Sequence, residues 1–105
     1  MDYSKTKTSF YRRLYVAHLI DTGINTVPRI MEATGMPRRT AQDTISALSD
    51  LDIVCEFVGA NKDGKYEIKD WGPVKKEWVW KHLQHVIGVL EYPQLIKQKK
   101  VVVNG

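Results

Sequence analysis

Apolar residues return at helical intervals near the start of the chain. Phe10, Leu14 and Ala17 fall at i, i+4 and i+7, and Tyr11, Tyr15 and Leu19 form an adjacent stripe. The pattern predicts a helix over residues 5–22 that buries more than one face and stops at Gly23. A second, short helix is expected from about 27 to 34. Thr26 suits its cap and Pro28 its first turn, where the missing N–H is not needed. Ile30, Met31 and Ala33 supply its apolar side, and Gly35 permits a tight turn. Pro37 opens a third helix that runs to about Leu51. Ala41, Thr44, Ile45 and Leu48 form its inward face, while Arg38, Arg39, Gln42, Asp43, Ser46 and Ser49 make an outward face that is polar throughout.

The period then changes. Ile53-Val54-Cys55-Glu56-Phe57-Val58 is rich in strand formers. Asn61-Lys62-Asp63-Gly64-Lys65 carries the Asp-Gly hairpin signal, and Tyr66-Glu67-Ile68 returns as a short strand. Gly72-Pro73 breaks the chain, with Asp70 a candidate cap for the next helix. One last helix is expected over 74–91. Val79, Leu83, Val86 and Leu90 make a seam of heptad spacing, Trp80 and Ile87 lie on a neighbouring stripe, and Pro93 ends the helix.

With 105 residues the chain suits one domain. We assign it to residues 1–92, followed by a basic C-terminal tail over 93–105. No apolar run approaches the roughly 20 residues of a membrane-spanning helix, and the first residues lack the apolar stretch of a secretory signal. The single cysteine, Cys55, pairs with no other within the chain, so a reducing cytoplasm is the expected compartment. The net charge of +4 is concentrated at the ends. Residues 1–26 carry four bases and two acids, and residues 73–105 six lysines and two glutamates. Residues 27–55 and 56–72 each carry three bases and four acids, for −1. Bulk charge therefore does not by itself argue for nucleic acid; position has to.

The order helix, helix, tight turn, helix, hairpin, helix resembles the winged helix-turn-helix family of bacterial DNA-binding proteins, over about residues 10–90. Gly35-Met36 is similar to that family's Gly-hydrophobic turn. Ala41, Ile45 and Leu48 stand where it has inward residues, and Ile53-Val54 matches the apolar pair opening its first wing strand. Ile68-Lys69-Asp70-Trp71-Gly72 resembles the strand-to-helix junction of MarR-like regulators, where Leu-Thr-x-x-Gly is usual. Pro37 replaces a capping Ser or Thr, and Asp52 replaces the usual Gly, a position where Asp tolerates a left-handed backbone. The resemblance implies a mainly α fold with a small β-hairpin wing.

It also implies DNA contacts. Arg38 and Arg39 begin the reading helix, and an arginine fork grips guanine O6 and N7. Gln42 suits adenine, and Thr40 and Ser46 suit phosphate or a thymine methyl. Asp43 would repel phosphate unless it faces a cytosine amino group or pairs with Arg39. Lys62 and Lys65 at the wing tip would reach phosphate or the minor groove, or would only solvate the turn. Lys5, Lys7, Arg12 and Arg13 would add backbone contacts or form a solvated face. The expected function is sequence-specific binding of double-stranded DNA, as a homodimeric transcriptional regulator joined through the first and last helices. The competing reading is a winged-helix protein-interaction module; Asp43 and the −1 charge of the central segment favour it.

The other chemistry-bearing residues point to packing. His82 and His85 are spaced i, i+3, but no nearby Cys, Asp or Glu completes a metal set, and the reading helix lacks the paired cysteines of ArsR-like sensors. His18 is expected in packing or at the surface. Cys55 is expected in the core. Trp71, Trp78 and Trp80 are expected to cluster at the hairpin-helix junction as core and interface packing; the MarR-like resemblance implies the alternative of a small aromatic or drug-like effector between them and the first helix. Phosphate-loop, nucleophile-elbow and paired-carboxylate patterns are missing, so neither an enzyme nor a cofactor is expected.

Overall fold

The computed structural model describes residues 2–60 and 62–93. Five helices and one hairpin follow in order: α1 (Lys5–Asp21), α2 (Val27–Thr34), α3 (Arg38–Ala47), a 3-10 turn (Leu48–Leu51), β1 (Val54–Val58), β2 (Lys65–Asp70), α4 (Lys76–Lys81) and α5 (Leu83–Leu90). The tail expected over 93–105 lies outside the described residues from residue 94 on, as does Asn61 of the expected turn. Among the described residues no helix is long and apolar enough to cross a membrane.

α1 is the axis of the fold. Ser4 caps it by accepting from the Lys7 N–H at 3.0 Å. Every residue from Leu14 to Ile20 is buried, so this half of the helix is enclosed on all sides, as its two stripes predict. It packs against α3, α4, α5 and β2. Phe10, at the start of the first stripe, stays exposed on the outer half. Tyr15, Leu19, Ile30, Leu48, Ile53 and Ile87 fill the centre.

The turn between α2 and α3 is set locally. Gly35 takes φ +82°, which an L side chain resists, and its N–H donates to the Met31 carbonyl at 2.7 Å. The Thr34 hydroxyl donates to the Ile30 carbonyl at 2.7 Å and accepts from the Met36 N–H at 3.1 Å. Met36 is thereby turned inward and buried. The third helix is shorter than expected: it ends at Ala47 and tightens into the 3-10 turn, after which Asp52 takes the left-handed conformation at φ +60°.

Both strands shift slightly from their expected bounds. β1 begins at Val54, and β2 extends to Asp70 with a register irregularity opposite Val54 and Cys55. The Tyr66 N–H donates to the Asn25 carbonyl at 2.9 Å, which ties the hairpin to the α1–α2 connection. Asp70 does not cap the last helix. Its carboxylate accepts from the Gly72 N–H at 2.7 Å, closing a turn, and α4 starts only at Lys76, from an N-cap that makes no side-chain bond.

The single helix expected over 74–91 is two helices. His82 sits between them at φ −110°, ψ 22°. Its ring stacks on the Trp78 indole with centroids 4.2 Å apart, and its Nδ1 lies 2.8 Å from the Trp78 carbonyl oxygen. Backbone bonds from His82 to Trp78 and from Val86 to His82 still cross the break. The two helices therefore stay hydrogen-bonded to each other across the break. Of the heptad seam, Val79 and Val86 are fully buried within the protomer while Leu83 and Leu90 are half-buried.

Tyr15 is fully enclosed, and its hydroxyl has no hydrogen-bond partner among the described residues. Burial, and secondarily Tyr92, pushes its pKa up to about 12. In the unfolded chain the phenol ionises near 10, so the unfolded state loses its proton first as pH rises. Stability is therefore full below pH 10 and falls between about 10 and 12, by on the order of 2 kcal/mol. Denaturant melts at pH 9 and 11.5 should show that loss, and Tyr15→Phe should reduce it.

Candidate nucleic-acid interface

α3 carries its polar residues where the helical period puts them. Ala41, Thr44 and Ile45 are buried, whereas Arg38, Arg39, Gln42, Asp43 and Ser46 are exposed. Thr40 is half-buried, and its carbonyl accepts from the Thr44 hydroxyl at 2.7 Å. The Arg39 side chain is 88% exposed, and its Nε lies 3.8 Å from an Asp43 carboxylate oxygen, the i, i+4 pairing that the sequence offers. Such a surface pair contributes little to stability, but it offsets the negative charge on this face. Pro37 provides no side-chain cap, so the start of the helix is set by its extended backbone and by the Ala41 N–H donating to the Pro37 carbonyl at 3.0 Å.

The two flanks of α3 face different neighbours. On one flank Gln42, Ile45, Ser46 and Ser49 form one wall of a groove of about 780 Å³, and Val54, Cys55 and Tyr66 of the hairpin help form the other. α3 and the hairpin thus share one groove. Lys62 and Lys65 are exposed at the hairpin turn. Cys55 is half-buried in that wall, and burial, with Glu56 nearby, pushes its thiol up to about 11. It stays protonated at neutral pH and is a poor nucleophile. On the opposite flank, Thr40, Asp43, Thr44 and Ala47 face Arg12, Arg13 and Ser9 of α1 across a cleft of about 220 Å³. The sequence groups Arg12 and Arg13 with the other N-terminal bases and holds no local signal to separate them, because only the packing of α1 on α3 brings them to this site.

The remaining candidates take structural places. His82 bonds and stacks within α4, and the His85 ring meets Tyr11 edge-on at 5.8 Å. Buried His18 stacks on Tyr15 and meets Trp80 at 4.8 Å. The tryptophans go to separate points along α1. Trp71 Nε1 donates to Asp21 at 3.4 Å, Trp78 packs on Tyr11 at 6.3 Å, and Trp80 on His18. A small effector entering between them and α1 would displace those contacts.

A family profile described as winged helix-turn helix matches residues 5–90, from the first residue of α1 to the last of α5. The chain belongs to the winged helix-turn-helix family. The crystal structure of a DUF2131 family protein from Shewanella amazonensis SB2B, at 2.50 Å resolution, is similar to it. That protein is 36% identical, with a TM-score of 0.82 over 92% of this chain and 97% of the other. No curated protein matches. In this winged helix-turn-helix chain α2 and α3 are therefore the helix-turn-helix and the β1–β2 hairpin is the wing. Neither finding names a MarR-like or ArsR-like regulator.

Proposed function

We propose that this winged helix-turn-helix protein binds double-stranded DNA sequence-specifically, with α3 in the major groove, as a cytoplasmic transcriptional regulator. The observation that carries the reading is the bare outward face of α3. Arg38, Arg39, Gln42 and Ser46 are exposed together, and the two guanidinium groups are not folded back into the protein. A helix of this diameter fits the major groove, and residues at its start reach base edges. Arg38 and Arg39 take the guanine role, Gln42 the adenine role, and Thr40 and Ser46 phosphate or a thymine methyl. Asp43, paired with Arg39, orients that arginine. Lys62 and Lys65 extend the contact to the backbone along the wing.

The reading includes a homodimer of MarR-like arrangement. Phe10 on α1 and Trp78 and Trp80 on α4 remain exposed in the protomer, Trp80 by 55%. Burying such aromatic area against a second copy is favourable, and two reading helices about 34 Å apart would face a pseudo-palindrome. Sedimentation at micromolar concentration should give a species of twice 12.1 kDa; a monomer there contradicts the dimer.

Titrating a selected duplex against salt tests DNA binding itself. Each neutralised phosphate adds about 0.9 to the slope of log affinity against log salt. Binding should weaken steeply from about 50 to 200 mM. A flat response would point instead to the protein-interaction reading.

A further inference from the structure

Arg12 and Arg13 are half-buried on α1, and neither side chain forms an ion pair or a hydrogen bond among the described residues. Both residues line the cleft beside α3, where each guanidinium offers five N–H donors. Such groups call for an anionic acceptor. The carboxylate in their cleft, Asp43, already has Arg39 3.8 Å away. Two arginines therefore share the cleft with an acid that a third arginine pairs. Ser9 and Thr40 also line the cleft, and the Thr44 hydroxyl donates to the Thr40 carbonyl.

The cleft's place on α3 decides what it would hold. At 100° per residue, Thr40, Asp43, Thr44 and Ala47 lie about half a turn around the helix from Gln42, Ile45 and Ser46. The first set faces α1 and the second faces the wing. A helix seated in the major groove has a phosphate backbone along each flank. We propose that Arg12 and Arg13 clamp backbone phosphates of one DNA strand, while the wing lysines serve the other. The clamp rests on the DNA-binding reading. Planar guanidinium forks suit phosphate oxygens bidentately. The cleft adds affinity and fixes register, and it carries no base preference.

The test compares the full-length protein with R12Q/R13Q and R12K/R13K on the selected duplex. It uses salt titration and ethylation interference on each strand. In R12Q/R13Q the salt slope should shrink by about 1–2, and affinity at about 0.1 M salt should fall about tenfold or more, with sequence preference unchanged. Within each half-site, interference should disappear from one strand and persist on the other. R12K/R13K, which keeps the charge, should recover most of the slope. Should R12Q/R13Q fail to fold, the wild-type footprint decides: interference on the wing side alone within each half-site overturns the clamp. A wild type that binds steeply, with a variant of equal slope and footprint, overturns the clamp and leaves the DNA reading standing. A wild type with no salt-dependent binding overturns both.

Discussion

Replacing Arg38 and Arg39 together by alanine will relax sequence choice while leaving the fold intact. Each arginine fork on guanine supplies about 1–3 kcal/mol of discrimination. Loss of both lowers the preference for the selected duplex over a scrambled one by on the order of 30-fold or more. Thermal stability should change by less than about 0.5 kcal/mol, because both side chains are exposed and the Arg39–Asp43 pair is a surface pair. Competition binding with the two duplexes, alongside a thermal melt, reads both quantities. Equal preference in wild type and variant would remove these arginines from the reading face. The contrast with R12Q/R13Q is diagnostic: one pair sets which sequence is chosen, the other how steeply salt weakens every sequence.

The second large effect is on folding. Gly72→Ala should cost on the order of 3 kcal/mol and lower the melting temperature by about 15 °C. Gly72 has φ +60°, and a Cβ there would run into the backbone carbonyl of Asp52. The loop after the 3-10 turn and the loop after β2 touch backbone to backbone at this point. Neither can retreat easily. Ile53 is anchored through its N–H to the Leu48 carbonyl, and the Gly72 N–H donates to Asp70. Gly35→Ala is the control. It also has positive φ, but a Cβ there meets nothing within 4 Å, so the loss should be only about 1 kcal/mol of left-handed strain. Similar melting temperatures for the two variants would contradict the close-approach argument.

Local rules make most of this fold readable. Thr26, Pro28 and Gly35 bound α2 where capping and turn chemistry place it, and the 3.6-residue period sorts α3 into buried and exposed faces. Gly35 and Gly72 show the limit. Gly35 announces itself because the chain must turn there. The crowding at Gly72 comes from Asp52, a partner on another loop that no local window contains. The same distinction explains the last helix. Its apolar spacing predicts one segment, but the backbone leaves helical geometry at His82, whose side chain bonds and stacks on Trp78. Likewise the three tryptophans, close in sequence, spread along α1 because three different α1 residues receive them. In the candidate site, the α3 residues are legible in the sequence because they share one helix face. Arg12 and Arg13 are legible only as charge, since their place beside α3 depends on long-range packing.

The central claim is that the outward face of α3 meets duplex DNA. The most direct measurement is a backbone amide shift map of the labelled protein titrated with its selected duplex. The account predicts that the largest shifts fall on residues 38–46, with smaller ones at the wing turn and around Arg12 and Arg13. Saturating shifts confined to α4 and α5, with residues 38–46 unmoved, would contradict it.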